Sequence, residues 1–85
     1  MVVDFWATWC GPCQAMHPIV DEVAQEYGSQ VDFYKMNVDE NRSVPARLGI
    51  RSLPAILVFK GGQVRSNVMG SASKTKVVEV IQKAL

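Results

Sequence analysis

The chain has 85 residues, of which 48% are apolar and 20% charged, and its formal net charge is +1. That length holds one domain, and the near-neutral balance gives no electrostatic basis for binding nucleic acid or an anionic membrane. No apolar run approaches the roughly 20 residues a bilayer-spanning helix needs. The N-terminus, Met1-Val2-Val3-Asp4-Phe5-Trp6, carries neither a basic region nor a small-residue cleavage site. A signal peptide is therefore not expected, and two cysteines do not make a disulfide-dense secreted scaffold, so a cytoplasmic location is expected.

Val2 to Trp6 is short, apolar and β-branched, and is predicted to be a buried strand with one charge, Asp4, inside it. Pro12 suits the first turn of a helix, where its missing N–H costs little. Met16, Ile19, Val20, Val23, Ala24 and Tyr27 follow at steps of three and four, the stripe of an amphipathic helix, with Gly28 as its C′ residue. Pro18 inside that helix removes one backbone bond and predicts a kink. Val31 to Val38 reads as a second strand, parallel to the first through a right-handed crossover. Arg42 to Leu48 is expected to form a short helix. Ala55 to Phe59 is a continuous apolar run typical of a central strand, and Lys60-Gly61-Gly62-Gln63 a hairpin turn into a strand from Gln63 to Met69. Ser71 or Ser73 caps a last helix whose buried face is Val77, Val78, Val80, Ile81, Ala84 and Leu85. The order β-α-β-α-β-β-α describes an α/β fold: a four-stranded mixed sheet with helices on both faces.

The chemistry concentrates in Trp9-Cys10-Gly11-Pro12-Cys13, which holds the only two cysteines. Cys10 falls where the first strand meets the first helix, and Cys13 lies one turn inside. Residues so placed are close enough for a disulfide. The closed loop is tiny and constrains the unfolded chain little, so the pair is a poor staple. It suits reversible exchange instead. The helix start stabilises a Cys10 thiolate, and Cys13 waits as a shielded resolving thiol. A structural zinc site needs four ligands, and the chain offers two cysteines and His17. Covalent haem attachment needs a histidine after the second cysteine, where Gln14 stands. His17 reads as a surface side chain near the site rather than a ligand or base. Two inert core cysteines fit poorly with a Gly-Pro insert at a helix start.

Val2 through Cys13 resembles the active-site segment of the thioredoxin family. The similarity continues through Pro18, Asn37-Val38-Asp39, Leu48-Gly49-Ile50-Arg51-Ser52-Leu53-Pro54, Phe59-Lys60-Gly61-Gly62 and Gly70. The resemblance covers nearly the whole chain and implies a protein disulfide reductase with no metal or organic cofactor of its own. It implies disulfide-containing protein substrates and a separate thioredoxin reductase as electron donor. Position by position, it implies that Cys10 attacks and Cys13 resolves, and that Asp4 is the buried carboxylate exchanging protons with Cys13. Lys35 matches a lysine near that carboxylate. Pro54 matches a cis-proline opposite the disulfide. Trp9, Gly11, Pro12, Leu53, Pro54 and Gly70 match an apolar rim on which substrates lie, while Trp6 reads as packing. A carboxylate inside an apolar strand is costly without a purpose or partner, and burial should raise its pKa.

Two other readings stay open at this point: a glutathione-linked or oxidising relative, which the Gly-Pro dipeptide disfavours, and a non-catalytic module that holds a partner on the apolar rim. Thioredoxins usually begin with a strand and helix that would precede Met1, so residues 1–85 read as an N-terminally abbreviated domain. The resemblance also implies the sheet order second, first, third, fourth strand. Val31 to Val38 is then an open edge, expected to give either a weak dimer or a monomer whose edge amides exchange quickly.

Overall fold

Strand β1 (Val2–Trp6) sends alternate side chains to opposite faces of a sheet, so one short apolar run feeds two cores. The computed structural model describes residues 1–85. After β1 come helix α1 (Gly11–Tyr27), strand β2 (Phe33–Asn37), helix α2 (Ser43–Arg47), strands β3 (Ala55–Lys60) and β4 (Gln63–Met69), and helix α3 (Lys74–Ala84). The sheet order is β2-β1-β3-β4. Strands β1 and β2 run parallel, and β3 is antiparallel to both β1 and β4.

Val2 from β1 and Ile56 and Val58 from β3 face helices α1 and α3, packing with Met16, Val20, Val23, Val77, Val80 and Ile81. Val3, Phe5, Ala55 and Leu57 point to the opposite face, where Val44 and Leu48 of α2 lie against them. Helices thus cover both faces, as the alternation of β1 requires. Asp4 shares the face of Val2, so its carboxylate is driven beneath α1. Part of the α2 face is an open apolar groove lined by Val3, Phe5, Tyr34, Met36, Leu48 and Phe59.

Several local expectations hold. The β3–β4 turn is Gly61-Gly62, with φ of 63° and 77°. Two consecutive left-handed residues make the hairpin turn whose twist matches its strands, and glycine adopts that conformation without steric cost. Ser73 is the N-cap of α3 and accepts a hydrogen bond from the Lys76 N–H at 3.2 Å. Replacing Ser73 with Ala is expected to lower stability by about 1 kcal/mol, read as a shift of the urea midpoint at constant slope.

Others are corrected. Strand β2 spans five residues, not the eight of Val31 to Val38. The Val31 N–H instead donates to the carbonyl of Tyr27 at the end of α1, so the chain is still leaving the helix there. Gly28 caps α1 with φ of −61°, in the right-handed region. Its need for glycine is steric: a Cβ there would meet the Ala24 carbonyl oxygen at 2.7 Å. Helix α1 runs through Pro18 without interruption. On α3, Leu85 is exposed and Val78 half-buried, so the buried face narrows to Val77, Val80, Ile81 and Ala84.

Candidate active site

The site forms where β1 ends and α1 begins. Cys10 is the N-cap of α1, and its Sγ accepts a hydrogen bond from the Cys13 N–H at 3.2 Å. The first N–H groups of a helix have no partner within the helix, and one of them here finds the sulfur. Pro12 follows in the first turn, as its ring requires. The two cysteines form a disulfide with their Cα atoms 5.3 Å apart. Cys13 is wholly buried, and Cys10 is 5% exposed, less open than a surface thiol. Both sulfurs pack in a small cluster with Ala7, against which Trp6, Val38 and Leu53 lie. Gln14 braces the loop, donating from Nε2 to the Ala7 carbonyl at 3.3 Å.

Around the disulfide the residues expected to form a rim divide. Trp9 is 68% exposed, and its indole N–H donates to Asp39 Oδ2 at 2.8 Å. Gly11 and Pro12 are exposed, and Leu53 and Gly70 half-buried. Pro54 is fully buried, so it supports the rim from beneath. The Leu53–Pro54 peptide bond is cis, and the Gly70 N–H donates to the Pro54 carbonyl at 2.6 Å. Trp9, Leu53, Val38, Pro45, Ile50 and Arg51 line a shallow groove beside the disulfide.

Asp4 is 1% exposed, and neither carboxylate oxygen has a hydrogen-bond partner. Burial raises its pKa from 3.8 to about 6, with Lys35 opposing the rise and Asp21 adding to it. Lys35 lies opposite Asp4 in the strand register, but its ammonium pairs with Asp21 at 2.8 Å, so it reaches Asp4 only through space.

His17 departs most from the sequence reading. It is not a free surface side chain. Its side chain is 19% exposed, its ring stands edge-on to Trp6 at 5.0 Å, and its buried Nδ1 lies 3.5 Å from Asp4 Oδ2. The helical step from Cys13 to His17 places both on the side of α1 that covers β1. That step, together with the parity of Asp4 in β1, was the available signal. The Trp9–Asp39 bond joins residues thirty apart and had no local signal.

The thioredoxin family model matches residues 1–83. Over all 85 residues the chain is 48% identical to Thioredoxin 1 of Synechococcus elongatus and 45% identical to the thioredoxin of Synechocystis sp., covering 79% of each. It is 42% identical to chloroplastic Thioredoxin M2 of Arabidopsis thaliana and spans about half of that relative, 46% of its length. A close-set cysteine pair on a helix start, in a four-stranded mixed sheet of this order, agrees with those likenesses. The chain belongs to the thioredoxin family, and Cys10 and Cys13 are the dithiol–disulfide pair of a protein disulfide oxidoreductase.

Proposed function

We propose that the protein reduces disulfides of other proteins, with Cys10 as attacking thiolate and Cys13 as resolving thiol. The observation that carries this reading is the hydrogen bond from the Cys13 N–H to Cys10 Sγ at the helix N-terminus. A donor and a positive dipole end both favour the thiolate. Cys10 S⁻ attacks one sulfur of the substrate disulfide, forming a mixed disulfide and releasing one substrate thiolate. The Cys13 thiol gives its proton to Asp4 and attacks Cys10 Sγ. The second substrate thiolate leaves, and Cys10–Cys13 is oxidised. Two electrons from a separate thioredoxin reductase restore the dithiol.

Asp4 suits the proton transfer because burial holds its pKa near neutrality, about 6, where a carboxylate both accepts and releases protons. Lys35 tunes it through space and is not in contact with it. Trp9, Gly11, Pro12, Leu53 and Gly70 form the surface for an extended substrate segment, with Pro54 beneath. No helix is long and apolar enough to cross a membrane. The compartment proposed for the reaction is the cytoplasm.

Iodoacetamide tests the division of labour. With the reduced protein at neutral pH, mass mapping is expected to find Cys10 alkylated well before Cys13, because only one thiol has a helix-end donor and an outward edge. Preferential labelling of Cys13 would reverse the roles.

Strand β2 is one of the two edge strands, with β4 at the other edge, and Tyr34 on it is 53% exposed beside the apolar groove. An unpaired edge of this kind supports weak self-association through β2. Sedimentation velocity over a hundredfold range of concentration is expected to show a rising mean mass, with slowed amide exchange in Phe33–Asn37 at the high end. A constant monomer mass removes this part of the reading.

A further inference from the structure

A buried carboxylate that takes up a proton in each cycle must also lose it to water. Asp4 has no direct route. It is 1% exposed, and both its oxygens are sealed and unpartnered. Its surroundings are few. Lys35 from β2 faces it but is held by Asp21 of α1 at 2.8 Å, and an ammonium engaged by a carboxylate has no lone pair with which to accept a proton. Trp6 offers a donor-only indole, and its Nε1 is itself buried and unpartnered. The one neighbour that can both accept and donate is His17.

The geometry of His17 is unlike that of a packing residue. Its Nδ1 is buried without a partner and lies 3.5 Å from Asp4 Oδ2, just beyond hydrogen-bond length. Two orphaned polar atoms facing each other in a dry space each carry a desolvation cost. The Trp6 ring, edge-on at 5.0 Å, holds the imidazole plane toward the carboxylate. Because Nδ1 is sealed, the 19% exposure of the side chain lies on its far edge, where Nε2 meets solvent. The ring therefore spans the layer between a sealed carboxylate and water.

We propose that His17 is the proton conduit between Asp4 and solvent, a positioning residue that acts through Asp4 and resets it after each resolving step. The proposal rests on Asp4 being the proton acceptor for Cys13. The protonated Asp4 carboxyl transfers its proton to Nδ1 of the neutral, Nε2–H imidazole. The imidazolium releases its Nε2 proton to water, and an excursion about χ2 that turns Nδ1 away from Asp4 lets water remove the Nδ1 proton and return one to Nε2, which restores the starting tautomer. One proton leaves Cys13 and one reaches water, with no change of redox state at His17. Burial, reinforced by Lys35 and opposed by Asp21, holds the His17 pKa below 6.5, so the ring is set to release the proton it receives, while burial raises that of Asp4 to about 6.

The test is single-turnover oxidation of the reduced protein by insulin, followed by tryptophan fluorescence in weak buffer from pH 5 to 9. His17→Ala is expected to slow the resolving step on the order of tenfold near pH 7. Imidazole, small enough for the vacated space, is expected to restore the rate. His17→Gln keeps most of the volume but carries no proton, and is expected to be slow without rescue. Thermal unfolding of each variant sets aside a general loss of fold. In the wild type, the Asp4 carboxyl carbon and the His17 ring nitrogens are expected to show linked titrations by NMR, a readout that needs no variant.

A wild-type rate and pH profile in His17→Ala, with Asp4→Asn slow, overturns the conduit and leaves Asp4 as acceptor. A slow His17→Ala that imidazole does not rescue, with an unchanged pH profile, makes His17 structural and overturns the conduit equally. An Asp4→Asn variant as fast as wild type overturns the reading of Asp4 on which the conduit rests.

Discussion

Cys10→Ser is expected to reduce insulin turnover by dithiothreitol to the uncatalysed background, and Cys13→Ser is expected to accumulate a covalent protein–substrate complex. The two outcomes differ because the sulfurs differ in environment. Cys10 Sγ sits at the N-terminus of α1 and accepts the Cys13 N–H, so its thiolate is the stabilised one. A serine hydroxyl there is not ionised near pH 7, and no first bond forms with substrate sulfur. In Cys13→Ser that first bond still forms, because the Cys13 main-chain N–H that favours the thiolate is untouched by a side-chain change. No second thiol then cleaves the mixed disulfide, and it persists until external thiol reaches it. Non-reducing gels of Cys13→Ser mixed with insulin should show an added band that dithiothreitol removes. A band from Cys10→Ser instead would exchange the roles. A pure binding module predicts a third pattern, with partner capture by wild type and no turnover from either form.

How much of this was legible beforehand depended on how local each cause is. The start of α1, the Gly61-Gly62 turn and the cap at Ser73 are each decided by one or two residues whose backbone or side-chain chemistry allows little else. The sites of Cys10 and Cys13 came with the first of these. The family resemblance implied a buried carboxylate at Asp4, inside an apolar strand, and Asp4 is buried. Features arising from the meeting of distant segments were not readable. The late start of β2 follows from a hydrogen bond between Val31 and the end of α1, and apolar residues at 31 and 38 look like strand without it. Lys35 pairs with Asp21 across the α1–β2 layer, a choice among carboxylates that register alone does not make. His17 read as a surface side chain because, four residues past Cys13, nothing near it in the sequence marks a partner. Its burial comes from the Trp6 ring and from the depth of Asp4, both on another element.

Asp4→Asn is expected to stabilise the oxidised protein above about pH 6 and to leave its stability nearly unchanged at pH 4. The cause is a carboxylate with a normal pKa of 3.8 in the unfolded chain and about 6 in the fold. Below pH 3.8 the group is neutral in both states and imposes no ionisation cost. Between pH 3.8 and about 6 the unfolded chain loses its proton while the folded one keeps it, so stability falls as pH rises. Above the folded pKa both states are charged and the loss levels off. At about 1.4 kcal/mol per pKa unit, the full penalty is about 3 kcal/mol. The neutral amide escapes this penalty, although it still places a polar group without a partner in a dry site, so the net gain at pH 8 is roughly 1–3 kcal/mol. For a domain of this size that raises the unfolding midpoint by about 4 °C or more. His17 acts in the opposite sense. Its lowered folded pKa removes stability as pH falls below 6.5. His17 faces Asp4 at 3.5 Å, so the two titrations are coupled, and the difference between variant and wild type reports Asp4 together with that coupling. The same substitution is expected to slow resolution of the mixed disulfide near neutral pH, since Cys13 loses its internal base. Urea unfolding of both proteins at pH 4 and pH 8 separates the cases: an identical stability difference at the two values would mean that Asp4 ionises as freely in the fold as in the open chain, and the proton-transfer role would fall with it.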